Sequence, residues 1–185
     1  HVGQTVVIAN VTGASGTVGA RESKASPADG YTIYAMHDYI HLVHYAGLTD
    51  ITYKDFEPVC LISATPSVLT ASPKTPWKTW KELLDDAKKR PGKLKMGSTG
   101  PGGLPHTVGS MLNSVTKFQV IAVPFDGEGP GLTALMGGHV DMMPVGAGAA
   151  AENIKAGRVK ALAVIDAEAL PMQGQASIPP ITRDY

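Results

Sequence analysis

Apolar positions along the chain fall into two rhythms. Short runs recur at VVIAN (6–10), YTIYAM (31–36), PVCLISA (58–64), SVLTAS (67–72), KLKMGS (93–98), VIAVPF (120–125), VDMMPV (140–145) and KALAVI (160–165). Apolar runs this short, bounded by Gly, Pro and polar residues, predict strands. Between several of them the spacing changes to three and four: Trp77, Trp80, Leu83, Leu84 and Ala87 predict a helix over 77–89, stopped at Arg90-Pro91-Gly92. Residues 105–115, 129–136 and 149–156 predict three more, with Pro105 suited to a first helical turn and Gly157 placed to end the last. Strand and helix alternating through short loops read as an α/β fold with mainly parallel sheets. Near Thr65-Pro66 two strand-like runs follow one another with no helix between, the pattern of a crossover between two lobes. The stretch 167–185 is proline-rich, weakly patterned and unlike the natural end of a compact domain.

Composition narrows the classes. The 185 residues suffice for one domain or two small lobes. Sixteen basic residues balance 16 acidic ones, which argues against the basic face a nucleic-acid or membrane-surface partner requires. No apolar run reaches the roughly 18–20 residues of a membrane span. The single cysteine, Cys60, has no partner for an intrachain disulfide, and its place in VCLI predicts a buried packing role. It fits cytoplasm and periplasm equally. No signal peptide is visible, but a strand pattern begins four residues in, so targeting information has no room to show.

Candidate chemistry gathers at glycine-rich strand-to-helix turns. Ser98-Thr99-Gly100-Pro101-Gly102-Gly103 follows a strand and opens a helix, with His106 in the first turn. Helix N-termini offer unpaired N–H groups and partial positive charge, which suits an anion. A nucleotide phosphate fits poorly, because the lysine of GxxxxGK and the spacing of GxGxxG are both absent. A carboxylate fits better, and a plain glycine turn stays open. VTGASGTVGA (11–20) is a second such turn; Thr17 stands where the nucleophile elbow GxSxG needs glycine, and no local Asp or His supports Ser15 as a nucleophile. In VPFDGEGPGLTALMGGHVDMMPVG (123–146), Asp126 and Gly127 precede a helix, and Val145-Gly146 end the next strand. Ligands of open α/β sheets sit at the carboxyl ends of strands, so these residues face the same edge as Ser98 and Thr99. His37, His41 and His44 share one helical face, and HDYIH resembles the zincin HExxH with aspartate for glutamate. Asp is one methylene shorter than Glu, and Gly47 soon ends the helix.

Together, GQTVVIAN, GASGTVGA, SPADGYTIY, YKDFEPVCLI, KTWKELLDDAKKRPGKLKMGSTGPGGLPH, VPFDGEGPGLTALMGGHVDMM and IKAGRVKALAV, in this order and spacing, resemble the substrate-binding proteins of tripartite tricarboxylate transporters, the Bug family. The resemblance implies a type II-like periplasmic binding protein. Two lobes, each a mainly parallel sheet flanked by helices, would enclose a cleft: 1–64 with 165–185 as a partial first lobe, 65–164 as the second. It implies a monomeric periplasmic receptor that delivers a small carboxylate to membrane transporter subunits, with no catalytic residue, cofactor or metal. The ligand would be gripped by Ser98, Thr99, Gly100, Gly102, Gly103 and His106. Met36 and His37, with Asp38, would face it from the other lobe, and Asp126, Gly127, Val145 and Gly146 would complete the wall.

Three departures from the family pattern stand out: Val145 replaces a frequent acidic residue, Met36-His37-Asp38 replace small hydroxyl residues, and Asp126 replaces the lysine of a VPYKG-like turn. The first argues for a less polar ligand than an amino acid. Family members also carry a further strand–loop–helix before His1 and a stretch after Tyr185, so about two-thirds of a binding protein is expected here. The first lobe is then expected to show open sheet edge and exposed apolar surface. The rival readings are a metal-dependent hydrolase built on His37, His41 and His44, and a sensory module using the same cleft.

Overall fold

The computed structural model describes residues 3–37, 40–100, 102–172 and 176–181; Asp38 and Pro101 of the motifs above lie outside them. In the N-terminal part, α1 (Thr17–Ala25) and α2 (Ile40–Tyr45) pack with Ile51 around a small cluster of Ala20, Ile40 and Val43, joined by Tyr34 and Phe56. The runs 6–10, 31–36 and 58–64 predict strands, but none is in a ladder. Val6, Ile8 and Leu61 are 71%, 85% and 84% exposed, and Cys60 is exposed too. The expectation of a buried Cys60 is therefore corrected. A strand holds its shape through neighbours on both sides, and the described chain supplies none to these segments.

From residue 67 onward the predicted alternation forms one sheet. Strands β1 (Ser67–Ala71), β2 (Lys95–Ser98), β3 (Ile121–Pro124), β4 (Met142–Gly146) and β5 (Lys160–Ile165) lie in the order β3-β2-β4-β1-β5. β2 runs parallel to β3 and β4, whereas β1 is antiparallel to both β4 and β5. The sheet is thus mixed rather than mainly parallel. β1 precedes the strand–helix alternation and pairs between β4 and β5, which run in the opposite sense.

Helices α3 (Trp80–Lys89), α4 (Leu104–Thr116), α5 (Glu128–Gly137) and α6 (Ala147–Lys155) cover the sheet. Side chains alternate across it, as the strand period requires. Leu69, Ala71, Met96 and Met142 meet Trp80, Leu83, Val108 and Leu112 of α3 and α4 on one face. Val68, Met143, Val145 and Val164 meet Leu132, Leu135 and Ala150 of α5 and α6 on the other. Full burial of each such side chain contributes about 1.5–3 kcal/mol, which makes this three-layer unit the stable part of the described chain.

The described residues after β5 fold back along it. Val164 N–H donates to the Pro179 carbonyl at 2.8 Å, Leu170 and Ile178 exchange backbone bonds at 2.9 Å, and Ile178 sits in the second core cluster. The edge of β5 offers unpaired backbone groups, and the extended Pro179-Pro180 segment satisfies part of it.

Candidate functional site

The register of the sheet assembles the site. Ser98 pairs with Pro124, and Ser67 with both Gly146 and Ile165, so one edge collects the carboxyl ends of β2, β3, β4 and β5. Three helices start there, and their N-caps are Gly103, Gly127 and Gly146, none with a side-chain cap. α3 starts beyond the opposite end of β1 and is capped conventionally, with the Thr79 side chain accepting from Glu82 N–H. Glycine N-caps leave first-turn N–H groups for another acceptor. Three glycine-capped helix starts thus lie along one edge, an arrangement that suits an anion, although the Gly103, Gly146 and Ala147 N–H groups already donate to Gly100, Glu128 and Pro66.

The loop after β2 is the most elaborate part of it. Gly100 N–H donates to Ser98 Oγ at 3.2 Å, Gly103 N–H to the Gly100 carbonyl at 3.2 Å, and Gly102 N–H to His106 Nδ1 at 3.4 Å. As an acceptor there, Nδ1 is unprotonated, leaving the other ring nitrogen of the exposed His106 side chain as a donor. Gly100 and Gly102 have φ of +98° and +75°. The loop also touches the N-terminal part of the chain. Ser15 Oγ donates to the Thr99 carbonyl at 3.2 Å, and a Cβ on Gly102 would stand 2.9 Å from Val43 Cγ1 of α2.

The 13–16 turn that brings Ser15 there is strained. Ala14 and Ser15 adopt φ of 45° and 54°, between Gly13 and Gly16 at 117° and 84°. Left-handed backbone costs a non-glycine residue about 1–2 kcal/mol, and such strain concentrates at functional loops. The Thr17 hydroxyl next to it is buried and has no hydrogen-bond partner among the described residues. Ser15 is thereby placed as a tie between two loops.

The remaining expected residues divide. Asp126, exposed, and Gly127 lead into α5, and Gly146 opens α6, all on the rim. Val145 does not line it: its side chain is fully buried in the core, because alternation along β4 turns it inward beside Met143. Met36 and His37 lie on the exposed approach to α2. Sequence reasoning missed Glu128, whose Oε2 accepts from Gly146 N–H at 2.9 Å. Only its GEG context hinted at a role; the partner lies 18 residues on.

His44 Nδ1 lies 2.9 Å from the Thr49 carbonyl and donates to it. The His41 side chain and Asp38 lie outside what the structure describes. Among the described residues no group of three or more His, Cys, Asp or Glu is placed to hold a metal ion. The hydrolase reading receives no support.

A sequence model of the family described as tripartite tricarboxylate transporter family receptor matches residues 1–181. The chain belongs to that family. Among its relatives, BugT of Bordetella pertussis is 30% identical over 175 residues, covering 90% of this chain and 52% of BugT. The chain spans about half the length of the curated relatives it matches. Its fold is that of solved periplasmic binding proteins. The periplasmic binding protein BugD aligns with a TM-score of 0.88 at 29% identity, covering 98% of this chain and 61% of BugD. An R. palustris protein with adipate aligns at 0.80 and 28% identity over 91% of this chain and 57% of its own. MatC of Rhodopseudomonas palustris, with bound malate, aligns at 0.75 and 31% identity over 84% and 54%. This membership accounts for the run of matching segments and for the three-layer unit from residue 67 onward.

Proposed function

We propose that this chain belongs to a periplasmic receptor that captures a small organic carboxylate between two lobes and presents it to the membrane subunits of a tripartite tricarboxylate-type transporter. The observation that carries this reading is the rim itself: three glycine-capped helix starts and the Ser98–Thr99 hydroxyls at one sheet edge. Such a rim suits the binding of an anion by preorganised donors. The adipate and malate held by two solved relatives support the class of ligand.

Ser98, Thr99, Gly100, Gly102, Gly103 and His106 hold the carboxylate. Asp126, Gly127 and Gly146 bound its distal part, and the 13–16 turn, with Met36 and His37 nearby in sequence order, belongs to the facing wall. Hydrogen bonds to a charged partner contribute about 1.5–3 kcal/mol each, so a few reach micromolar affinity. Calorimetry with the best-binding acid from a carboxylate library tests this. Ser98→Ala combined with Thr99→Val is expected to weaken binding about tenfold or more; unchanged affinity contradicts the assignment.

A further inference from the structure

We infer that Glu128 sets the ligand class of this receptor, by filling the donor position at the start of α6 with the protein's own carboxylate and so disfavouring a second carboxylate on the ligand. The inference rests on the carboxylate-receptor reading and refines it. At the α4 start the Gly103 N–H is taken up within its own loop, by the Gly100 carbonyl. At the α6 start the acceptor is a carboxylate: Glu128 Oε2 accepts from Gly146 N–H at 2.9 Å, and the next amide, Ala147 N–H, donates to the Pro66 carbonyl at 3.2 Å. Glu128 is half-buried, and no Lys or Arg pairs with it among the described residues. Asp126, two residues earlier and exposed, adds a second acid to the same turn.

Position follows from the register. Met96 of β2 pairs with Met142 of β4, which puts Ser98 level with Pro144 and Gly146 two residues further along. With strands about 4.8 Å apart and about 3.3 Å of rise per residue, Gly146 stands roughly 8 Å from Ser98. That is the span of a short aliphatic acid. A ligand whose carboxylate lies at the Ser98–Gly103 loop therefore directs its far end toward Glu128 and Asp126. Another carboxylate there meets like charge, whereas a hydroxyl, amine or amide meets an acceptor. The site reads as donors at one end and acceptors at the other.

Glu128→Gln removes the charge but keeps a carbonyl oxygen to accept from Gly146 N–H, so the α5–α6 link survives. The probes are four- to six-carbon dicarboxylates such as adipate, each beside the acid of equal length bearing a terminal hydroxyl or amine, measured by calorimetry. The native protein is expected to prefer the hydroxy or amino acid about tenfold or more, and Glu128→Gln to reduce that ratio at least fivefold. Acids that bind both proteins with an unchanged ratio, or a native preference for the dicarboxylate, overturn the role of Glu128 alone. Failure of every acid to bind either protein, with circular dichroism showing both folded, overturns the receptor reading and this inference with it.

Discussion

Gly102 carries two demands at once. Its φ is +75°, and an added Cβ would meet Val43 Cγ1 at 2.9 Å and the Val43 Cα at 3.0 Å, so backbone has to yield. Gly102→Ala is expected to cost about 1–3 kcal/mol and lower Tm by roughly 3–10 °C in a thermal melt. Gly148, inside α6 with nothing within 4 Å of its added Cβ, is the contrasting case. Gly148→Ala is expected to be neutral or to stabilise by about 0.5–1 kcal/mol. Much of the loop at Ser98–Gly103 was legible in the sequence, since hydroxyls and glycines between a strand and a helix announce their chemistry locally. The contacts that complete it were not. Ser15 to Thr99 spans 84 positions and Glu128 to Gly146 spans 18, and no local pattern encodes either. Val145 failed for a related reason: a rim position in the sequence says nothing of which face its side chain takes.

Among the elements, α3 shows how local signals set a boundary. The spacing predicted a start at Trp77, but Thr79 caps the helix and Trp77 turns back, its Nε1 donating to Asp86 Oδ2 at 2.9 Å. Asp86 also receives Arg90, with Nε at 2.8 Å. The Arg90 guanidinium, helped by the Trp77 indole and opposed by burial, holds the Asp86 carboxyl below its ordinary value of 3.8. A depressed folded value means that ionised Asp86 favours the fold. Its contribution is full above the unfolded value and is lost as pH falls through the lower folded one. After allowance for solvent screening the contribution is about 0.5–1 kcal/mol. Denaturant melts across acid pH should therefore show a steeper loss for the native protein below about pH 4 than for Asp86→Asn, and parallel curves would contradict the assignment. α3 was legible because its apolar residues repeat on one strip, whereas α5, apolar nearly all round, was legible from the glycines and strands that bound it. The runs at 6–10, 31–36 and 58–64 carry equal β-propensity, yet a strand exists only by pairing, and pairing is not a local property.

At the scale of the molecule, a sheet of mixed direction turns three helix starts toward one edge, and the 13–16 turn and α2 meet that edge from outside the sheet. Class and layer order followed from the alternation of strand and helix. The antiparallel course of β1 between β4 and β5 and the pairing of Pro180 with Val164 of β5 did not, because both depend on partners distant in sequence. A ligand bound between two walls stabilises the closed arrangement by mass action, so a saturating acid is expected to raise Tm by several degrees. Ser98→Ala with Thr99→Val is expected to lose most of that shift, read against the variant's own ligand-free Tm, which falls by a few degrees because Ser98 Oγ also accepts from Gly100 N–H.

The central claim is that backbone amides and hydroxyls at the Ser98–Gly103 loop, and not a reactive side chain, hold an organic anion. A crystal structure of the protein with its tightest-binding acid tests this most directly. Carboxylate oxygens within hydrogen-bond reach of that loop and of the first turn of α4 are the predicted result. An acid seated away from that sheet edge, or held there by a metal on the histidines, contradicts it.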